Sequence, residues 1–406
     1  MGHDQFRREL RELRGDLSFR RFADLLHYDA AQINRVENGS QRPSLGLARA
    51  LDNQAGGERF VALLLDDDTP TSNPRDGGSP WEVLDVIRRL RSTDLGGETL
   101  DSLAHGIHQL SSQYSYRPAA ELRTDSLELL RMVTRLRAGK LTYREHRELL
   151  NSAAWLALLI GCVEYDMGLH VPAETTRHAA ASLGRETGNG EIQAWAHEMG
   201  AWFALTQGRL TEVVVHARQG RDLAPNSGVF VQLAAQEAKA LARMEDARGM
   251  RDALAQGRRS LDHQPLPAHP ENHFVIDPDK WDFYAMDCAR VVGDDDLAAA
   301  HASEVLRIGR MPDGSARWPM RMAEARLTLA VAGARAGELD EAVDNATTAL
   351  DDDRQCVPSL LMVAAEFDQE LRARYRRVAK ARDWHESFVD MRRAITSGTI
   401  GVDQTG

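Results

Sequence analysis

Apolar residues recur every three or four positions along most of the chain beyond residue 81, which is the spacing of an amphipathic α-helix. Clear examples are WEVLDVIRRLRS from Trp81, SLELLRMVTRLRAG from Ser126 and NSAAWLALLIGCVEYDMG from Asn151. No segment in this part alternates β-branched and polar residues, as a half-buried strand would. The pattern therefore predicts an all-α protein.

A turn pattern recurs between these helices: a glycine, a few polar residues, and then alanine or valine in the next helix. Its glycines are predicted to cap helices in the left-handed conformation; they are Gly168, Gly208, Gly249, Gly293 and Gly337. The intervals of 40, 41, 44 and 44 residues are typical of a solenoid of two-helix repeats. GELDEAVDNATTAL from Gly337 resembles the second helix of a tetratricopeptide repeat (TPR). We predict a TPR-like α-solenoid; the alternative is an irregular helical bundle.

The composition changes abruptly at residues 66–80, DDDTPTSNPRDGGSP. This segment contains three prolines and two glycines but no apolar residue, so it is predicted to be an exposed, flexible linker. It separates a first domain over residues 1–65 from a second over residues 81–400. The first domain contains five short helical segments, and Ser18 and Ser44 stand where a hydroxyl group caps a helix N-terminus.

Charge is distributed unevenly between the two predicted domains. The chain has a net charge of −11, but residues 1–65 contain ten arginines and nine acidic residues, or +1, so the remainder carries −12. This distribution excludes a chain that coats nucleic acid along its whole length, but it allows a small DNA-binding domain.

The cysteines and the apolar runs indicate the compartment. Three widely separated cysteines, Cys162, Cys288 and Cys356, exclude a disulfide framework. The N-terminus lacks the apolar region of a signal peptide, and no 18-residue apolar run occurs. We therefore expect a cytoplasmic protein with no membrane partner. Abundant alanine, with arginine far in excess of lysine, is typical of an actinobacterial protein.

Three short motifs give the first domain a resemblance to the Cro/cI-type helix-turn-helix, the XRE family. They are S-F-R-R-F-A from Ser18, I-N-R-V-E-N-G from Ile33 and R-P-S from Arg42. The resemblance implies a five-helix domain that binds a double-stranded DNA operator through a recognition helix over residues 30–38. Over the whole chain, the arrangement resembles actinobacterial XRE regulators with a degenerate TPR tail. The architecture alone also resembles peptide receptors of Gram-positive bacteria.

The resemblance implies two groups of DNA contacts. The residues implied at base edges are Ala30, Ala31, Asn34 and Arg35, with Gln32 at a base or a phosphate. The residues implied at phosphates are Ser18, Phe19, Arg20, Ser40, Gln41 and Arg42. Arg35 is the best candidate for specificity because its guanidinium can bind guanine through two hydrogen bonds. For each polar residue, an ordinary solvated surface position is the alternative.

Two further features of the motif predict local structure. The usual glycine of the turn is replaced by His27, which must then adopt a positive φ. Glu37 is predicted to pair with Arg11 or Arg14 of the first helix, and this pairing is structural rather than functional.

Aromatic residues in the second domain are candidates for a ligand surface. Trp195 and Trp202 lie seven positions apart, on one helical face with Glu198 between them. The second group of candidates lies at the end of the proline-rich loop 263–278 and just after it. It consists of Asp277, Trp281 and Tyr284. An apolar wall with a few polar ends is typical of a small-molecule pocket. Aromatic residues at helical spacing are also common in a protein core, which is the alternative.

Other motifs do not support catalysis. His197 and Glu198 begin an HExxH zinc motif, but Ala201 stands in place of the second histidine. GRETGNG from Gly184 lacks the lysine of a phosphate-binding loop. We therefore expect no enzyme activity, no catalytic residue, no metal and no cofactor.

These observations predict a sequence-specific transcriptional regulator. Its helical-repeat domain is predicted to form a homodimer and to respond to a small molecule, a peptide or a partner protein. The alternative is a protein-interaction scaffold that uses the solenoid and in which the helix-turn-helix is not primarily a DNA-binding element.

Overall fold

The computed structural model describes residues 2–57, 59–66, 93–351 and 356–396 of the chain. Contacts divide the chain into two units, Met1–Arg88 and Arg89–Gly406. Within the described residues all regular structure is helical, apart from an isolated bridge between Arg310 and Ala316. The predicted all-α class is therefore confirmed. Residues 67–80 of the predicted linker and the helix predicted at Trp81 lie outside the described residues.

The first unit contains the five predicted helices: α1 (Gly2–Arg14), α2 (Phe19–Leu26), α3 (Ala30–Glu37), α4 (Leu45–Ala55) and α5 (Arg59–Asp66). Side chains from all five form one core, and the most completely buried are Phe6, Leu10, Phe22, Ile33, Val36, Leu47 and Leu51. The inward orientation predicted for Ile33 and Val36 is confirmed. Phe60 of α5 packs edge-on against Phe6 of α1, with ring centroids 5.2 Å apart.

Fourteen helices are described in the second unit. They are α6 (Gly97–Ser112), α7 (Ala119–Leu136), α8 (Tyr143–Asp166), α9 (His170–Thr187), α10 (Gly190–Thr206), α11 (Leu210–Leu223), α12 (Val229–Arg243), α13 (Ala247–Asp262), α14 (Lys280–Val292), α15 (Asp295–Gly309), α16 (Pro319–Ala336), α17 (Leu339–Leu350), α18 (Val357–Arg374) and α19 (Ala379–Thr396). By length and composition α8 could cross a membrane, but 72% of its apolar window is buried inside the protein, as in a core helix.

Helices of the second unit pack in consecutive pairs, from α8 with α9 to α18 with α19. The first helices of successive pairs also contact one another, in the order α8, α10, α12, α14, α16 and α18. In addition, α18 contacts α8 and α10, so the stack curves back on itself. The first helices of the pairs therefore surround a common interior.

Four of the five predicted capping glycines have the expected backbone conformation. Gly168, Gly208, Gly293 and Gly337 have φ between 73° and 95°, and each follows the first helix of a pair. The prediction for Gly249 is wrong, because this residue lies inside α13. The left-handed residue of that turn is Glu245, with φ 61°, and Asp246 caps α13 by accepting a hydrogen bond from the Gly249 backbone N–H at 2.8 Å.

Candidate functional site

The turn between α2 and α3 is held by local capping interactions. Ser18 caps α2, since its hydroxyl accepts a hydrogen bond from the Arg21 backbone N–H. The helix ends at His27 with φ 52° and ψ 46°, which confirms the positive φ predicted there. Asp29 then caps α3 by accepting from the Gln32 N–H at 2.7 Å. The orientation of α3 is thus fixed from both sides of the turn.

One face of α3 is available to a partner. Ile33 and Val36 are completely buried, whereas Ala31 and Arg35 are exposed and Asn34 is half-buried. The Arg35 Nε donates to the Gln41 side-chain oxygen at 2.9 Å, so the guanidinium is held on the helix surface. The Asn34 side-chain oxygen accepts a hydrogen bond from the Asn38 amide at 2.6 Å. The predicted base-contacting side chains therefore share a partly pre-organised surface.

The remaining predicted contact residues are also at the surface. Ser18 and Arg20 at the start of α2 and Ser40 and Arg42 after α3 are exposed, and Gln41 is half-buried. Ala30 and Gln32, at the start of α3, are half-buried too. Phe19 differs because its ring packs against the core of the unit, with the Arg14 guanidinium 4.4 Å from the ring centroid. Only its backbone N–H, in the first turn of α2, is suited to hold an anion.

The predicted pairing of Glu37 with α1 is confirmed. The Nε and Nη2 groups of Arg14 each donate to the buried Glu37 carboxylate at 2.8 Å, and the Nε of Arg11 donates to it at 3.4 Å. The hydrogen bond from Arg14 holds the pKa of Glu37 below its usual range. Arg14 also donates to the Leu17 carbonyl at 2.8 Å. This pair connects α1 to the end of α3 and leaves the exposed face of α3 unobstructed.

Comparison with known proteins agrees with this geometry. Residues 5–57 match the family of the helix-turn-helix domain. The match lies wholly within the first unit and supports DNA as its partner. None of the curated proteins compared with the chain matches it. The helix-turn-helix domain thus comprises α1 to α4, with α2 and α3 as its two central helices.

The second unit contains a cavity at the common interior of its paired helices. Its empty volume is about 1040 Å³, counted with the opening to solvent. Six helices contribute to its wall, through residues that include Asp166 of α8, Trp202 of α10, Gln236 of α12, Phe283 of α14, Glu324 of α16 and Met362 of α18. The loop between α13 and α14 adds Glu271, Asn272 and His273.

The structure brings three of the six predicted ligand residues together at this cavity: Glu198, Trp202 and Tyr284. The other three do not line it. Trp195 is 1% exposed and belongs to the apolar core. Trp281 packs beside Gly257, with the Arg258 guanidinium 5.6 Å from its ring centroid. Asp277 is buried near Arg321 at 3.6 Å.

Lys280, which the sequence suggested as a polar end of the pocket beside Trp281, does line the cavity, but Gln236, Lys239, Arg321 and Glu324 were missed by sequence reasoning. A signal was present in VFVQLAAQEAKALAR, the sequence of α12. In this helix Gln232, Gln236 and Lys239 share one face and are surrounded mainly by apolar residues. Polar residues in such a helix indicate either an internal network or a pocket.

A hydrogen-bonded group forms part of the cavity wall. The Glu198 carboxylate accepts bonds from the side-chain amides of Gln232 at 2.8 Å and Gln236 at 2.9 Å. The Tyr284 hydroxyl donates to the Gln232 side-chain oxygen at 2.8 Å. Burial raises the pKa of Glu198, and burial lowers the pKa of Lys280 to about 7. The ionised forms of Glu198 and Lys280 are therefore poorly solvated in this cavity.

The loop between α13 and α14 also contains a possible metal-binding group. Among the described residues, His108 of α6 and His269 and Glu271 of the loop place one ligand atom each within 4.8 Å of one another. Imidazole and carboxylate ligands suit zinc and related ions. His269 and Glu271 are exposed, and they bond to each other at 3.2 Å. This group could not be predicted from the sequence, because 161 positions separate His108 from His269.

Proposed function

We propose that the protein is a sequence-specific DNA-binding transcriptional regulator of the cytoplasm. The observation that carries this proposal is the helix-turn-helix match together with the exposed face of α3, on which Arg35 is held by Gln41. In this proposal α3 enters the major groove and Arg35 binds a guanine. Ser18, Arg20 and Arg42 contact the phosphates on either side.

The second unit supplies regulation in this proposal. It dimerises, so that two helix-turn-helix domains contact two half-sites of an operator. Its cavity binds an effector, and effector binding changes the arrangement of the paired helices. The position of the cavity among the paired helices and its aromatic wall support a small molecule more than a folded partner protein.

A gel-shift titration against DNA from upstream of the protein's own gene tests the DNA-binding part. Arg35→Ala should weaken binding to the specific site by about 1–3 kcal/mol and leave non-specific binding nearly unchanged. Arg42→Ala should weaken binding to all sequences alike and reduce its salt dependence. Arg8→Ala, which removes an exposed charge from α1, is the matched control and should bind as the wild type does.

The alternative is an interaction scaffold whose helix-turn-helix does not primarily bind DNA. Two observations favour it: the net charge of only +1 over residues 1–65, and the alanines at positions 30 and 31 of α3. Wild-type affinity in both the Arg35 and the Arg42 variant would contradict the assignment of α3. Absence of any specific DNA complex would favour the scaffold.

A further inference from the structure

Three basic side chains line the cavity of the second unit, and among the described residues their one carboxylate contact is a loose ion pair between Arg321 and Asp277. Lys239 and Lys280 are 6% and 7% exposed. Lys239 lies against the Phe283 ring, 4.8 Å from its centroid, and Lys280 donates only to the Val275 carbonyl at 3.4 Å. The Arg321 Nη1 is buried without a hydrogen-bond partner, since the Asp277 carboxylate stays 3.6 Å away.

Buried arginines elsewhere in the unit are paired closely. Arg177 bonds to Glu174 at 2.9 Å and Arg243 to Asp287 at 2.7 Å. Arg290, which is completely buried, bonds to Glu366 at 2.8 Å. A buried charge is costly unless a counter-charge and hydrogen bonds compensate it. The cations of the cavity are therefore less closely paired than these arginines, and a negatively charged ligand would complete their compensation.

The acidic residues of the cavity do not fill this role. Glu198 is engaged by the amides of Gln232 and Gln236. Burial raises the pKa of Glu324, which favours a protonated carboxyl that can donate a hydrogen bond. Glu271 is exposed on the loop, and the buried Asp277 lies 3.6 Å from the Arg321 guanidinium, beyond hydrogen-bond distance.

The apolar part of the wall is largely aromatic. Trp202, Phe283 and Trp318 supply ring surfaces, and Leu205, Met320 and Met362 supply aliphatic surface. The Arg321 guanidinium lies 4.4 Å from the Trp318 ring centroid, which places a cation at the edge of the apolar wall. A ligand that satisfies both features has a planar anionic group attached to an apolar body.

We propose that the cavity binds a small organic anion with an aromatic or aliphatic body, of which a carboxylate is the simplest case. The anionic group accepts hydrogen bonds from Arg321 and Lys280, and the body lies against Trp202 and Phe283. This inference gives a chemical class to the effector of the proposed function. It concerns the second unit alone, so a failed gel shift and a failed ligand test would be separate results.

Two fluorescent probes of similar size test the anion preference on the full-length wild-type chain. One is 8-anilinonaphthalene-1-sulfonate, which carries an anionic group, and the other is neutral N-phenyl-1-naphthylamine. We expect the anionic probe to bind at least about ten-fold more tightly, because a charge-assisted hydrogen bond in a buried site contributes at this scale. Met362→Trp, which places an indole in the cavity, should abolish binding of both probes. Equal affinity for the two probes, or unchanged binding in Met362→Trp, would overturn the proposal.

A pair of arginine variants identifies the anion-binding group. Arg321→Gln should remove most of the preference for the anionic probe and leave the affinity for the neutral probe within about two-fold. Arg317→Gln is the matched control, because Arg317 also stacks on Trp318, at 4.2 Å from the ring centroid, but does not line the cavity. It should retain the preference. Retention of the preference in Arg321→Gln, or equal loss of it in Arg317→Gln, would contradict the role of Arg321. Since the wild-type comparison needs no variant, the proposal stays testable even if a substitution prevents folding.

Discussion

His27 shows how a single residue can carry strain at a functional turn. Its left-handed conformation, φ 52° and ψ 46°, is adopted by glycine without a steric penalty, whereas a Cβ atom in this region costs about 1–2 kcal/mol. The chain must nevertheless change direction at His27. The Tyr28 hydroxyl is held by a hydrogen bond to Ser44 at 3.2 Å, and α3 already begins at Ala30. The structure of the domain therefore imposes the conformation on this residue.

Replacing this histidine with glycine should stabilise the helix-turn-helix. His27→Gly removes the steric cost but gives the unfolded chain more freedom, so the expected net gain is about 1 kcal/mol or slightly less. Hydrogen–deuterium exchange of the α2 and α3 amides in the full-length chain measures the change. His27→Ala, which keeps the Cβ atom, is the control and should not increase protection. Equal protection in the glycine variant and the wild type would show that His27 is not strained.

At the scale of helices, the contact between α10 and α11 depends on one close approach and one histidine pair. A Cβ atom on Gly200 would lie 2.8 Å from the His216 ring, so any other residue would force the ring to move. The His197 and His216 Nδ1 atoms are 3.0 Å apart. Burial, with the nearby Arg177 guanidinium, lowers the pKa of His216 from 6.5 to about 4. The folded state therefore favours a neutral His216.

This shift predicts an acid-sensitive contact. Because the pKa of His216 is lower in the folded state than in the unfolded state, its contribution to stability is present above about pH 6.5 and is lost as the pH falls toward 4. The loss of melting temperature between pH 7 and pH 5 should be smaller in His216→Gln than in the wild type. His178→Gln, at a histidine that is 67% exposed, should behave as the wild type does. An unchanged pH dependence in His216→Gln would exclude this mechanism.

At the scale of the second unit, α18 closes the stack of paired helices. Glu366 of α18 bonds to Arg243 of α12 at 2.9 Å and to Arg290 of α14 at 2.8 Å. The Trp202 indole of α10 donates to the Ser359 hydroxyl at 2.9 Å. These contacts join residues that are distant in sequence around the cavity. A ligand that displaced α18 would therefore affect three helix pairs together.

At the scale of the whole molecule, the proposed regulator requires a dimer with two-fold symmetry. A helix-turn-helix domain of about 60 residues offers few DNA contacts, so useful affinity requires two half-sites. Residues 81–406 should therefore form a dimer without the first domain, and residues 1–80 alone should be monomeric. Light scattering at micromolar concentration measures both fragments. A monomeric fragment 81–406 would contradict the assignment of dimerisation to the second unit.

The sequence alone determined features that depend on neighbouring residues. Helical periodicity predicted the all-α class, and hydroxyl residues at helix starts predicted the caps at Ser18 and Ser44. The motif with His27 in place of glycine predicted the positive φ, and the pairing of Glu37 followed from the family resemblance. Each depends on side chains and backbone groups close in sequence, or on a short domain whose pattern is specific.

Only the tertiary structure decided which inward faces meet at the cavity. Lys239, Lys280 and Arg321 come from three different helices, and sequence periodicity fixes the face of each helix but not the residues opposite it. For the same reason Trp195 and Trp281, chosen for their aromatic character, lie away from the cavity. Gly249 is not a helix cap, because Asp246 caps α13 and the helix begins at Ala247. The charges that line the cavity are therefore determined by the curvature of the stack, which brings together residues that are distant in sequence.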